Sequence, residues 1–163
     1  MPIIPFGIIE NMAEDTVENT YLKLLGDINR AVIKFRGGYS AWARQHGISY
    51  HELLVLYTIR DQGFCTQKGI CDSYLLPRQT MNNVITDLRN RGLLRISPEH
   101  CRGREKAFTL TEEGRAYAAP LLASLDRVET QAVEAFGVEN ARKLAQAVAL
   151  YGDALETAMK ENP

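Results

Sequence analysis

The chain has 163 residues, 45% of them hydrophobic and 24% charged, with 19 Lys and Arg against 20 Asp and Glu. That length suits one domain, or a small domain with helical extensions, and the composition excludes a disordered chain, a collagen-like repeat and a disulfide-dense mini-protein. No stretch approaches the roughly 20 consecutive apolar residues that span a bilayer, so no membrane partner is expected.

The opening run Met1-Pro2-Ile3-Ile4-Pro5-Phe6-Gly7-Ile8-Ile9 is apolar. It lacks a basic leader and is broken by two prolines, so it does not read as a signal peptide. Cys65, Cys71 and Cys101 are odd in number and lack metal-ligand spacing, which points to reduced thiols in the cytoplasm. The net charge of −1 is uninformative, but its placement is not. Between Leu76 and Lys106, seven basic residues (Arg78, Arg89, Arg91, Arg95, Arg102, Arg104, Lys106) face three acids (Asp87, Glu99, Glu105). The block therefore holds a surplus of four positive charges, and the rest of the chain a surplus of five negative ones. Such a block is either a solvated helix face or a cationic surface for a polyanion. The element that carries it decides.

Apolar residues at Val17, Tyr21, Leu24, Ile28, Ala31 and Phe35 step by 4, 3, 4, 3, 4, the seam of a long helix that ends or bends near Gly37-Gly38. Tyr39 and Trp42 extend the apolar face toward His46, with Gly47 as the stop. Ser49-Tyr50-His51-Glu52 is a capping box opening a helix with Leu53, Leu54, Leu56, Tyr57 and Ile59, closed at Gly63. Thr66 is the next N-cap, for a short helix carrying Ile70, Cys71, Tyr74 and Leu75. Pro77 suits the first position of a further helix, where its missing N–H costs nothing. In that helix Met81, Val84, Ile85 and Leu88 form one narrow apolar stripe, opposite Arg78, Gln79, Asn82, Asn83, Thr86 and Arg89, and Gly92 ends it.

Two alternating runs, Leu94/Ile96 and Phe108/Leu110, then flank the polar stretch 97–105 and predict a β-hairpin with a long basic tip. Thr111-Glu112-Glu113 starts a helix with acids placed well for its dipole. Leu121, Leu122, Leu125, Val128, Val133 and Phe136 carry it on, with a kink expected at Pro120 and a break at Gly137. A last helix carries Leu144, Val148, Tyr151, Leu155 and Met159. The fold class expected is α+β, predominantly α.

A short helix, a turn, a second helix with a polar outer face and a basic hairpin make a winged helix-turn-helix. Gln79 and Asn83, four apart, lie side by side on the outer face, bordered by Asn82, Thr86 and Arg78. Amides pair bidentately with adenine and Arg with guanine, which is the chemistry needed at base edges. An amide-rich face alone can be mere solvation; the adjoining Arg102-Gly103-Arg104 hairpin, too polar to bury, favours a nucleic-acid surface.

Residues Thr66 to Gly114 resemble the DNA-binding lobe of the MarR family of bacterial transcriptional regulators. The residues that carry the likeness are Pro77-Arg78-Gln79-Thr80-Met81-Asn82-Asn83-Val84-Ile85, Leu88 through Gly92-Leu93-Leu94, Arg104 in the wing, and Leu110-Thr111-Glu112-Glu113-Gly114. Length and flanking helices agree, so the likeness covers nearly the whole chain. It implies dimerisation helices at 14–46 and 115–160 around a winged-helix DNA-binding lobe at 49–114, and a homodimer on a near-palindromic double-stranded site. DNA contacts are expected from Arg78, Gln79, Thr80, Asn82, Asn83, Thr86, Arg102 and Arg104, with Arg104 entering the minor groove from the wing tip. Such wings commonly hold their loop with an Asp two residues before that Arg; here the position is Arg102, so the wing is expected to be held differently and less rigidly. The apolar Ile3-Ile4 and Ile8-Ile9 segment would pack across the partner or fray.

The regulator expected is a repressor released by a small molecule or a stress signal. Tyr39, Trp42, His46, Tyr50 and Tyr57 gather near the junction of the first two helices and are candidates for a small aromatic effector, against the alternative that they simply pack. Cys101, between His100 and Arg102, is a redox candidate within the same class, against the alternative of an inconsequential surface thiol. The redox-sensing members of such families use a Cys in the first helix, which this chain lacks. His46, His51 and His100 are too scattered to suggest a metal site, and no cofactor is expected. No phosphate loop, nucleophile elbow or His-Glu-x-x-His is present, so an enzyme is not expected. The rival from another class is a winged-helix module gripping a protein with the same surface.

Overall fold

The computed structural model describes residues 6–162, with side chains from residue 19 onward. Ile3 and Ile4 lie outside the described residues, as do the side chains of Ile8, Ile9 and Val17. The chain divides into two compact units, residues 1–54 and 55–163.

The first unit holds helix α1 (Phe6–Gln45) and the start of α2 (Tyr50–Gln62). Helix α1 does not stop at Gly37-Gly38 as its glycines suggest; it runs on to Gln45. A mid-helix glycine costs only about 1 kcal/mol against alanine, and the backbone ladder on either side absorbs it. The seam of α1 faces solvent: Tyr21 is 67% exposed, Leu24 52% and Phe35 64%. The Ser49 hydroxyl accepts from the Glu52 N–H at 3.0 Å, the N-cap bond of the anticipated capping box.

The second unit continues α2 and adds β1 (Cys65–Thr66), α3 (Gln67–Tyr74), α4 (Arg78–Asn90), β2 (Leu94–Ile96), β3 (Ala107–Leu110), α5 (Glu112–Phe136) and α6 (Val138–Glu161). The hairpin gains an unforeseen third strand. Strand β1 pairs antiparallel with β3, Cys65 opposite Phe108, and the sheet order is β1-β3-β2. Two residues are too short for a period-2 pattern to show, so only the partner strand makes them a strand. Thr66 still caps α3, accepting from the Gly69 N–H at 2.9 Å.

The core of this unit is Val55, Leu56 and Ile59 on α2, Ile70 and Cys71 on α3, Met81, Ile85 and Leu88 on α4, the inner faces of the sheet, and Ala118, Leu122 and Leu125 on α5. Val84 is only half-buried, which narrows the α4 stripe to three side chains. Full burial of each contributes about 1.5–3 kcal/mol, enough to fix the rotation of α4 about its axis. Helix α5 passes through Pro120 and ends at Phe136. Helix α6 buries no side chain: Leu144, Val148 and Met159 are all more than half exposed.

Two sequence expectations need correction. Pro77 is the N-cap of α4 rather than its first residue, with φ −61° and an extended ψ of 134°. Leu75 does not belong to the apolar face of α3; it follows the helix in the left-handed conformation (φ 52°, ψ 47°), 90% exposed. That conformation turns the Leu75 and Leu76 N–H groups back onto the Cys71 carbonyl, closing the helix. A leucine there costs about 1–2 kcal/mol and recovers no packing. Leu75→Gly should therefore raise stability by about 0.5 kcal/mol or more, net of glycine's entropy cost, read as a shift in urea midpoint.

Gly114, in the first turn of α5, sits against the β2 backbone. A Cβ there would lie 2.0 Å from the Leu93 carbonyl oxygen. Around it, Thr111 Oγ1 donates to the Gly92 carbonyl at 2.7 Å and accepts from the Gly114 N–H, while the Thr111 N–H donates to the Leu93 carbonyl at 3.0 Å. Gly114→Ala should destabilise by about 3 kcal/mol or more, measured by thermal unfolding.

Candidate nucleic-acid interface

Helices α3 and α4 are joined by three residues, and one polar contact sets their relation: Gln67 Nε2 donates to the Arg78 carbonyl at 2.8 Å. With Met81, Ile85 and Leu88 turned inward, the opposite face of α4 must point out. Arg78, Gln79, Asn82, Asn83 and Thr86 are exposed, and Thr80 is half-buried at the edge. Gln79 Nε2 donates to Asn83 Oδ1 at 3.0 Å, so the two amides that share the outer face are also bonded to each other.

The wing is more ordered than a polar loop. After β2, residues Pro98–His100 form a 3-10 turn around Ser97, whose side chain is fully buried. The Ser97 hydroxyl donates to Glu99 Oε1 at 2.5 Å, and its only proton being spent, His100 Nδ1 must supply the N–H in their 2.9 Å contact. That hydroxyl, more than any other group, holds the exposed Glu99 carboxyl below the ordinary glutamate range. The His100 ring stacks on Phe64, which precedes β1, with centroids 4.1 Å apart and planes 15° from parallel. Farther out, the Arg102 and Glu105 backbones exchange N–H···O bonds of 3.1 and 2.9 Å. This closes a two-residue turn at Gly103-Arg104, with Gly103 at φ 58°, a region glycine enters freely. Backbone pairing thus closes the tip where Arg102 replaces the expected Asp. Arg102 and Arg104 are both exposed.

Between α4 and the wing lies a groove of about 580 Å³. It brings together Arg78, Asn82 and Thr86 of the expected contacts with Arg104 from the tip. Gln79, Thr80, Asn83 and Arg102 are not among its lining. The sequence reading missed Gln67, Lys68, Arg89 and Lys106, which also line it. Lys68 and Gln67 belong to α3, outside the apparent recognition segment; Arg89 stood on the polar face of α4 but a full helix turn beyond Thr86. The Arg89 guanidinium lies 5.8 Å from the Phe108 ring centroid, near the floor of the groove. Five cations (Lys68, Arg78, Arg89, Arg104, Lys106) and one acid, Glu105, give the groove a strongly positive field.

The aromatic candidates are arranged locally. Tyr39 packs edge-on against Phe35 at 5.4 Å, and Trp42 stacks on His46 at 3.9 Å, both within α1. Tyr50 lies 6.1 Å from His51. In the second unit, the Arg60 guanidinium sits 4.1 Å over the Tyr57 ring and is bonded to Asp61 at 3.0 Å and to Asp126 of α5. Burial, then the Glu129 charge, pushes the Tyr57 hydroxyl above its ordinary value. None of these five residues lines the wing groove or a second cavity of about 190 Å³ behind α3. Among the described residues, no group of His, Cys, Asp and Glu is arranged to hold a metal ion, and no helix is long and apolar enough to cross a membrane.

Cys101 is half-buried at the base of the tip, its thiol donating to the Ser97 carbonyl and accepting from the Ala107 N–H, each at 3.4 Å. Cys65 and Cys71 are buried. Burial pushes the Cys65 thiol up to about 12 from an ordinary value of about 9. The folded chain keeps this proton while the unfolded chain loses it, so stability from Cys65 is complete below about pH 9 and falls toward pH 12. The slope is about 1.4 kcal/mol per pH unit. Unfolding free energies from urea titrations should therefore lose about 1.4 kcal/mol in all between pH 8 and pH 10 through this thiol in the wild type, and fall less in Cys65→Ala.

A short helix, a turn, an outward polar helix and a cationic hairpin anchored to the same small sheet define a winged helix-turn-helix. Residues 46–105 match the model of the MarR family. The chain superposes on a MarR family regulator from Neisseria meningitidis with a TM-score of 0.77 and 28% identity, covering 86% of this chain and 99% of that one. A MarR/EmrR family regulator from Acinetobacter sp. ADP1 gives 0.67 at 18% identity, covering 83% and 96%. The regulator BpsR of Bordetella bronchiseptica, whose DNA binding is regulated by 6-hydroxynicotinic acid, gives 0.59 at 19%, covering 77% and 93%. No curated protein sequence matches the chain. Residues 46–105 are thus a MarR-family segment, and the chain carries the fold of MarR-like DNA-binding transcriptional regulators.

Proposed function

We propose that this chain is a cytoplasmic, homodimeric regulator that binds a near-palindromic double-stranded DNA site and acts as a repressor released by a small molecule. The observation that carries the DNA-binding part is the groove between α4 and the wing. It offers five cations for phosphate and sugar oxygens, while Asn82 and Thr86 supply neutral hydrogen-bonding groups for base edges. Arg104, at the end of a glycine-hinged tip, is the side chain that reaches the adjacent minor groove. Arg102, exposed beside it, adds a second cation on the wing.

The dimer rests on apolar surface. Tyr21, Leu24, Ile33 and Phe35 on α1, and Leu144, Val148, Leu150 and Met159 on α6, are each more than half exposed. Soluble monomers rarely display so much, and a second copy covering both seams removes it from water. The two recognition helices would then read successive major grooves about 34 Å apart. BpsR supports an aromatic effector, for which Tyr39, Trp42, His46, Tyr50 and Tyr57 are the candidates in this chain.

The test is a titration of the full chain with DNA from upstream of its own gene, followed by fluorescence anisotropy. That duplex should bind at least a thousand times more tightly than random DNA. Affinity should fall steeply with salt, with a slope set by about 0.9 per phosphate neutralised. Arg104→Ala should weaken binding to all duplexes about tenfold and lower the slope by about one. A protein that prefers no duplex over random DNA would overturn the proposal.

A further inference from the structure

We infer that Gln79 and Asn83 act as a single coupled unit that reads one A·T pair in each half-site, Gln79 making the base contacts and Asn83 holding it in place. This rests on the DNA-binding function proposed above.

The inference starts from the 3.0 Å bond between Gln79 Nε2 and Asn83 Oδ1. Both side chains are exposed, and Gln79 is the second residue of α4, the end of a recognition helix that enters the major groove. A glutamine amide has two hydrogens and one oxygen. With one hydrogen committed to Asn83, Gln79 presents an outward edge of one acceptor, Oε1, and one donor, the second Nε2 hydrogen. Adenine displays the complement in the major groove, an N6 amino donor beside the N7 acceptor. Guanine displays two acceptors, O6 and N7, and would need both Gln79 hydrogens. Asn83 removes one of them.

The bond also fixes a long, rotamer-rich side chain before DNA arrives, so less freedom is lost on binding. Asn83 is therefore a positioning residue. Its influence appears as rejection of guanine rather than as a base contact of its own.

The experiment selects duplexes with the full-length wild type, then measures affinities for the selected site with A·T or G·C at each position. One position per half-site should favour A·T over G·C by about tenfold or more, the worth of one bidentate pair. Gln79→Ala and Asn83→Ala should each bring that ratio close to one at the same position, and the double variant should bring it no lower. Asn83→Asp keeps the accepting oxygen and should retain the ratio while its added negative charge weakens every duplex alike. In the free protein, Asn83→Ala should shift the Gln79 side-chain amide resonances, which reports the bond without DNA. Additive losses, effects at different base pairs, or an unchanged ratio in Asn83→Ala would overturn the coupling while leaving the DNA-binding reading intact. A wild type that selects no duplex at all would overturn both.

Discussion

The grooved side of the second unit hangs from one backbone junction. Thr111 bonds through its hydroxyl to the Gly92 carbonyl and through its N–H to the Leu93 carbonyl, and Gly114 presses its bare α-carbon against that same Leu93 oxygen. Four elements meet there: the end of α4, the start of β2, the end of β3 and the first turn of α5. The angle between the outward helix and the cationic hairpin is set at this point, because both leave it within a few residues. The groove is a consequence of that junction, and its charge is a consequence of which residues then line it.

A second level of anchoring fixes the hairpin itself. Ser97, wholly buried, spends its one proton on Glu99 and receives another from His100, whose ring lies flat on Phe64. The root of the wing is thereby stapled to the residue just before β1. At the far end, the paired backbones of Arg102 and Glu105 close the tip. The hairpin is thus tied by hydrogen bonds at both ends, and its tip is closed by backbone pairing rather than by an acidic side chain at position 102.

What could be seen from the sequence was whatever has a period or a cap. The α4 stripe, the Ser49 and Thr66 caps, the alternating strands and the basic loop all follow from spacing, and each stands in the structure. The contacts that depend on distant chain segments had no such signature. Strand β1 exists only because β3 lies beside it, and the Phe64–His100 stack joins residues 36 apart in the chain. Lys68 enters the groove because α3 is bound to α4 through Gln67, a relation no local pattern encodes. Leu75 shows the reverse error: an apolar residue in the right rhythm was assigned to a core that the chain had already left.

Helix α6 raises a separate matter of cohesion. None of its 24 residues is fully buried within the chain, and the ion pairs along it, such as Lys160 with Glu156, lie exposed to water, where they add little. Most of a helix's stability in a protein comes from packing its apolar face rather than from propensity. In the proposed dimer its order is borrowed from the second copy resting on Leu144, Val148 and Met159, which would make the C-terminal end of this molecule a gauge of concentration: the more dilute the solution, the more of its last two dozen residues should melt.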